Sequence, residues 1–516
     1  MNTADHCEAI AARHPERGAL VDGGSAMTWA EVSHRAGRLA GALVARGLPR
    51  GARIYLQAPN AIEVFLTRLA CERAGLRAVT VPAPFRRAEI DAIVRATRPM
   101  LAIVPGQYHG VDFPALLASI PEAPRDVVTL TRWPAPGVPT LESLATGAGD
   151  SGAGSRAARQ LAEHESSQLG TTSGSTGTPK LVEVTIGARL RTGRVQAQRY
   201  GVTSDDVVLA LTPLITGTAD ALGYHGAPQV GFRLVLSERF DEAEACEAIV
   251  AHRATVVIGV PTMATRLLAS EHLARVPRGQ VRLFLSHAAI LAPSVARRLE
   301  AALGCRVMQA FGTFDYGGVC ATRADDGEDV RLATVGRPLD GNELVVLDEH
   351  GHRRPPGTAG RLYVRGAHAN AGYYRDPEAT RAAWVNGYYD LMEIGRADSA
   401  GNVSLLGRAR DIIIRGGQNI FPHEIEELLA RHPEVAEAAV VALPDPTLGE
   451  TACACIVRAP GARVSGAELL DFLRRLDIAA FKLPERFEFF DTLPMLATGH
   501  KVDKRRLRNS VVKGVA

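Results

Sequence analysis

The chain has 516 residues, enough for more than one domain around a large core, and its 46% hydrophobic and 22% charged residues are the balance of a globular enzyme. Lys and Arg number 59 against 56 Asp and Glu, so no charge excess points to nucleic acid or to an anionic membrane surface. No uninterrupted apolar run reaches the ~18 residues of a membrane span, and residues 1–6 hold no basic stretch leading into an apolar one, so neither a spanning segment nor a signal peptide is expected. Seven scattered cysteines fit a reducing cytoplasm, and Cys453 and Cys455, one residue apart in an apolar alternation, read as strand rather than as a metal site. In chain order, Thr28 three residues before Glu31 is a capping-box pattern. It opens a helix whose apolar face runs through Val32, Ala36, Leu39, Ala40, Leu43 and Val44. Residues 53–57, 76–82 and 101–104 read as strands, and 62–74 and 91–97 as helices. Strand and helix alternating at this spacing predict an α/β fold with a parallel sheet covered by helices. The Gly-, Ala- and Ser-rich residues 145–160 read as a mobile connection.

Residues 169–180 read Leu-Gly-Thr-Thr-Ser-Gly-Ser-Thr-Gly-Thr-Pro-Lys, and past Leu169 nothing in the run can build a core. Thr171, Thr172, Ser173, Ser175, Thr176 and Thr178 supply hydroxyl donors, and Gly170, Gly174 and Gly177 let the backbone bend close to a ligand. Lys180 adds a compact positive charge. This is the chemistry of a loop that wraps a polyphosphate. It lacks the Gly-Lys-Ser/Thr of the P-loop, because Thr178 and Pro179 separate Gly177 from Lys180. A flexible linker would have no need of the β-prone Leu181-Val182-Glu183-Val184 that follows. The next strand candidate, 207–211, ends at Thr212-Pro213-Leu214-Ile215-Thr216-Gly217. Ligands of open parallel sheets sit beyond the carboxyl ends of strands, so this loop is a candidate pocket wall. The same holds for residues 256–262 and for 283–289, which carry His287 and Ala288.

Further on, Gln309-Ala310-Phe311-Gly312-Thr313-Phe314-Asp315 follows a helix at 294–303 and a strand at 305–308. Short alternating runs bounded by Gly between 336 and 380 suggest a small β subdomain. The run 387–396 contains Asp390 and Glu393. Residues 407–426 form a polar turn with Arg408 and Asp411, an apolar strand, the Gly416-Gly417 turn and a helix entered through Pro422. Strands at 438–443 and 452–457 and a helix at 466–476 complete a compact unit. The last motif is Thr498-Gly499-His500-Lys501-Val502-Asp503-Lys504.

In this order the motifs resemble the adenylate-forming superfamily of acyl-CoA synthetases, aryl-acid AMP ligases, peptide-synthetase adenylation domains and luciferases, over nearly the whole chain. The resemblance implies an N-terminal AMP-binding domain over residues 1–410, of mixed and parallel sheets with helices and a small β subdomain. It implies a small mobile α+β C-terminal domain over 411–516, turning about a hinge at Asp411. It implies ATP and Mg2+ as cofactors. Thr171, Thr172, Ser173, Gly174, Ser175, Thr176, Gly177, Thr178 and Lys180 would hold the pyrophosphate. Gln309, Ala310, Phe311, Gly312 and Thr313 would receive adenine and the α-phosphate, with Phe311 stacking on the base. Asp315 and Thr172 would hold the metal, and Glu393 would grip the ribose, with Arg408 also on the nucleotide. Lys501 would bridge the acid and the phosphate, making it, with Asp315 and Lys180, the catalytic set. Thr216, Gly217, Asp220, His287 and Ala288 would line the acid pocket. The chain departs from the family at Phe314, where Thr is usual, at Asp315, where Glu is usual, and at Glu393, which fills the slot of an Asp and has Asp390 as its rival. His500 separates Gly499 from Lys501, and His287 stands where relatives carry Gly.

The implied reaction is that of an ATP-dependent acid–thiol ligase. It adenylates a carboxylic acid, releases pyrophosphate, and passes the acyl group to coenzyme A or to a carrier-protein thiol acting in trans. Residues 83–90 and 322–326 look most like the aryl-acid ligases, which points to an aromatic acid. Thr216-Gly217 replaces the His-Asn of the dihydroxybenzoate type, which points to a different one. The expected partners are a small-molecule acid and such a carrier, with no nucleic acid and no membrane. Two other readings stand beside this one: a diazotase-like ligase that activates nitrite toward an aromatic amine, and a nucleotide-binding relative without catalysis.

Overall fold

The computed structural model describes residues 1–146, 159–171, 180–416, 418–476, 478–496 and 502–513. The capping box at Thr28 forms as its residues dictate, the Thr28 hydroxyl accepting from Glu31 N and the Glu31 carboxylate accepting from Thr28 N. The helix expected at 91–97 starts earlier, spanning Arg87–Thr97. No Ser, Thr, Asp or Asn precedes it, so its start carries no N-cap signal; Glu89 reaches back instead to accept from Arg86 N. Residues 147–158, most of the expected connection, lie outside the described residues.

Two large sheets carry the first part of the chain. One orders its strands Gly372–Tyr373, Leu181–Thr185, Ser166–Thr171, Arg77–Val81, Arg53–Gln57, Leu101–Val104 and Val127–Thr129, parallel except at the first two. The other runs from Arg337–Pro338 through Gly317–Ala321, Arg306–Thr313, Leu283–Ser286, Val256–Gly259, Val207–Ala210, Arg233–Leu236 and Gly18–Asp22 to Ser25–Thr28, with a parallel centre and antiparallel ends. The helices Ile62–Ala74 and Ile186–Tyr200 pack between the two sheets and are buried almost all round. Their charged residues Arg68, Glu72, Arg73, Arg189 and Arg199 are therefore interior, and a buried charge needs a partner. This sandwiched layer sets the electrostatics beneath the site.

Beyond it, Asn342–Leu347, Gly360–Gly366, Tyr388–Ala397, Trp384–Val385 and Val403–Arg408 make an antiparallel sheet. A separate sheet of Gln418–Ile420, Ile413–Arg415, Gly449–Arg458, Val435–Asp445 and Arg486–Phe490 has its own apolar core, with Ile425, Leu429, Leu469 and Leu473 from its helices. Cys453 and Cys455 are buried strand residues of this sheet. The fold is thus α/β, a large N-terminal unit of mixed sheets and a smaller C-terminal one. No described helix is long and apolar enough to cross a membrane.

Candidate active site

The hydroxyl-rich loop closes a hairpin. Its flanking strands pair antiparallel, Thr171 opposite Leu181. Thr172, Ser173, Gly174, Ser175, Thr176, Gly177 and Thr178 lie outside the described residues, so the loop is fixed here only by its two ends. Thr171 is half-buried at one end, and Lys180 is exposed at the other, its Nζ 4.7 Å from the centre of the Tyr373 ring. The Tyr373 hydroxyl meets that of Tyr389 at 3.3 Å.

Asp315 shares this corner. Burial pushes its carboxyl up to about 6, against the pull of Lys180. Burial, and after it the charge of Asp315, raises both tyrosine hydroxyls. Asp315 Oδ1 is buried and has no hydrogen-bond partner among the described residues. An unpaired buried acceptor costs free energy, and a carboxylate oxygen is the donor a hard divalent cation takes. The described residues contain no group of three or more His, Cys, Asp or Glu able to hold a metal.

The strand Arg306–Thr313 continues past the expected 305–308 and folds back on Gly317–Ala321. Thr313 Oγ1 accepts from Tyr316 N at 3.1 Å and so fixes the turn carrying Phe314 and Asp315. Asn370 Nδ2 donates to the Phe314 carbonyl at 2.9 Å. Phe311 and Ala310 are half-buried against apolar clusters, and Gly312 is exposed. Gln309 is tied into the fold by its side chain and backbone. Its side-chain oxygen accepts from Leu291 N, and its side-chain nitrogen donates to the carbonyls of Arg331 and Leu332. Its backbone exchanges two bonds with Thr322. Each polar group of Gln309 thus has a partner within the fold. The tip of the Phe314 ring points at Gly170, where any Cβ would collide with it.

Glu393 faces Arg408 across the strands Tyr388–Ala397 and Val403–Arg408, Oε1 to Nε 3.5 Å. The rival carboxylate, Asp390, is held by Arg361 at 2.9 and 2.6 Å and also accepts from Met392 N. Met392 takes a left-handed backbone, φ 57°, and against Gly360–Gly366 the ladder passes from Ile394 to Asp390 while the partner advances only from Arg361 to Tyr363, so the strand bulges over residues 391–393. Asp411 ends the 3-10 turn Ala409–Asp411 that joins this sheet to the C-terminal one.

At the expected pocket wall Gly217 has φ +59°, and a Cβ there would come within 2.9 Å of the His287 ring. The Cε1–Nδ1 edge of the imidazole therefore lies close against Gly217, with Nε2 3.3 Å from Thr212 Oγ1. Ala288 next to it is also left-handed, φ 72°, a strained state for a residue with a Cβ. Thr216, Gly217, His287 and Ala288 thus come together as expected. Asp220 does not line the wall. It is fully buried one turn below, in the π-helix Ala219–Gly226, paired to Arg68 at 2.8 Å and to Arg189 at 3.2 Å. Burial opposes its charge, but the guanidiniums of Arg68 and Arg189 outweigh it and hold the carboxyl below its usual range. Arg68, Arg189, Tyr373 and Tyr389 were not singled out in the sequence. The available signal was weak: Arg68, Glu72 and Arg73 sit in a helix whose other residues, apart from Glu63 and Thr67, are apolar. Lys501, with His500, lies outside the described residues.

With this geometry in hand, comparison with known proteins gives a family model described as AMP-binding enzyme over residues 7–374. A second, the AMP-binding enzyme C-terminal domain, matches residues 424–500. A salicylyl-CoA synthase / salicylate adenylyltransferase from a Streptomyces species is 33% identical over 508 residues, 96% of this chain and 91% of that protein. A 2-hydroxy-7-methoxy-5-methyl-1-naphthoate–CoA ligase from Streptomyces carzinostaticus is 32% identical over 98% of this chain and 92% of its own. Among solved structures, ATP-bound MatB from Rhodopseudomonas palustris superposes with a TM-score of 0.87 over 99% of both chains at 28% identity.

Proposed function

The chain belongs to the AMP-binding enzyme family, and from that membership we propose how its residues divide the work of an acyl-adenylate-forming ligase. An oxygen of the acid attacks the α-phosphorus of ATP and pyrophosphate leaves; a thiol then attacks the acyl carbon and AMP leaves. Anionic oxygens converge in the first step, so it needs cations and fixed donors. Lys180 and the hydroxyl-rich loop, Thr171 to Thr178, hold the departing pyrophosphate. Lys501 bridges the acid oxygen and the α-phosphate. Asp315 and Thr172 hold Mg2+, which when bound neutralises charge on the phosphate oxygens. The observation that carries this is the buried, unpartnered Asp315 Oδ1 beside Lys180 at the base of the loop.

Phe311, Ala310, Gly312 and Thr313 form the adenine side, Phe311 by stacking. Glu393, with Arg408 opposite, takes the ribose hydroxyls; Asp390 is unsuited because Arg361 occupies both its oxygens. Thr216, Gly217, His287 and Ala288 wall the acid. The acid is aromatic: the salicylate and naphthoate relatives act on aromatic acids. The thiol belongs to coenzyme A or to a carrier protein. Residues 1–410 act as the AMP-binding domain, and 411–516 swing about Asp411 between the two steps. Glu437 of the small unit is raised by burial and drawn back by the charge of Arg266 of the large one, an attraction that the swing would remove.

Pyrophosphate release measured over a panel of aromatic acids, aromatic amines and nitrite, with and without coenzyme A, tests the reading. Release that depends on an aromatic acid, followed by a thioester when the thiol is added, is expected. Release that needs nitrite, or none with any compound despite ATP binding, would contradict it. No relative described above favours those two alternatives.

A further inference from the structure

Beneath the acid wall lies a buried charge array that the steps above leave unused. The π-helix Ala219–Gly226 places Asp220 and His225 five residues apart on one face, His225 Nε2 3.8 Å from Asp220 Oδ1. Burial pushes His225 down to about 3, so it is neutral, and its Nδ1 meets Thr3 Oγ1 at 2.8 Å. Arg68 is a strut with its donors spent on Leu214 O at 2.9 Å, Gln168 Oε1 at 3.1 Å and Asp220 Oδ1 at 2.8 Å, and its guanidinium lies over Tyr224. On the far side Glu72, raised to about 7 by burial against the pull of Arg68, is bonded by Thr3 and Tyr224. Arg189 differs. Its side chain is 4% exposed; its Nε faces Asp220 Oδ2 at 3.2 Å, and its Nη2 is buried with no hydrogen-bond partner among the described residues. Its only ionic partner there is Asp220, which Arg68 shares. Its guanidinium carbon is 5.4 Å from the centre of the Phe314 ring.

A guanidinium has donors and no acceptor, and buried donors without partners call for a ligand or a structural reason. The array is tied to the acid wall: Arg68 and Gln168 bond the carbonyls of Leu214 and Ile215, and Asp220 N bonds that of Thr216. Phe314 joins it to the Asp315 turn. We propose that Arg189 is a specificity-determining residue for the acid: its unspent donors take an oxygen carried on the ring away from the activated carboxylate, a hydroxyl or a second carboxylate, while Asp220 holds the guanidinium and Phe314 walls the ring. This rests on the acid-ligase reading above.

The test is acid-dependent ATP–pyrophosphate exchange with benzoate and the three isomers each of toluate, hydroxybenzoate and phthalate. At one ring position the wild type should prefer hydroxyl or carboxylate to methyl by at least tenfold in kcat/KM. Arg189→Lys keeps the charge beside Asp220 but loses the planar fork. It should erase most of that preference through KM for the acid, leaving KM for ATP within twofold. A preference unchanged in Arg189→Lys would overturn the proposal, as would parallel rises in both KM values together with a lowered Tm, the mark of a structural role. Should the variant not fold, the wild-type panel still decides, since no position favouring oxygen over methyl overturns it. Exchange with no acid at all would remove the ligase reading itself, a distinguishable result.

Discussion

Asp315 is held where ionising it is unfavourable. Its carboxyl moves from 3.8 to about 6, a shift of about two units, or roughly 3 kcal/mol between fold and unfolded chain. The folded form binds its proton more tightly, so the penalty is absent below pH ~4, grows as pH rises, and is complete above pH ~6. Asp315→Asn should therefore be more stable than the parent by roughly 2–3 kcal/mol at pH 8 and about equal at pH 4, as read by urea unfolding, while losing adenylation. A gap larger at pH 4 than at pH 8 would mean that the carboxyl is not disfavoured in the fold. Lys501 carries the opposite expectation. Lys501→Ala should cut adenylate formation by about a hundredfold or more, the scale of one lost charge-stabilising group, with unfolding unchanged. A near-normal rate, with the loss appearing in His500→Ala instead, would shift the assignment by one residue. The resemblance to the family, rather than residue type, pointed to both positions: Asp315 ends an aromatic-Gly motif, and Lys501 stands in a basic tail with Lys504, Arg505 and Arg506. Arg189 was not legible, because its partner Asp220 is thirty-one positions away and only the sandwiched helix layer brings them together.

At the scale of elements, Phe314 and Gly170 are one feature split between two strands. The ring fills the space a Cβ at Gly170 would need. Gly170→Ala should cost about 1–3 kcal/mol by overpacking, and Phe314→Thr in the same chain should recover at least ~1 kcal/mol of it. Denaturant unfolding of both singles and the double gives the coupling; additive losses would show that ring and strand do not press on each other. Most elements were readable. The Thr28 cap, the helix Ile62–Ala74 and the strand Arg53–Gln57 follow local rules of capping and alternation. The π-helix Ala219–Gly226 was not readable, because an i+5 register leaves no period in a stretch buried on every side. Nor was the use of Gln309: a motif position tells which strand a residue joins, while the direction of its amide depends on Leu291, Arg331 and Leu332, which reach it from other elements.

For the whole molecule, a separate core and sheet after residue 413 are what a turning domain requires, and the run from Arg408 to Asp411 is the connection that must absorb the turn. Asp411→Pro fixes φ and removes a backbone donor. It should leave pyrophosphate release from acid and ATP near normal and slow transfer to any thiol. Equal loss of both would indicate misfolding, and loss of neither would mean the small domain does not alternate. The central claim is that an oxygen of the acid attacks the α-phosphorus, and isotope transfer tests it most directly. With an acid labelled with 18O in its carboxylate, turnover to the thioester should yield AMP carrying one 18O and unlabelled pyrophosphate. AMP without label, or ADP and phosphate in its place, would contradict the account.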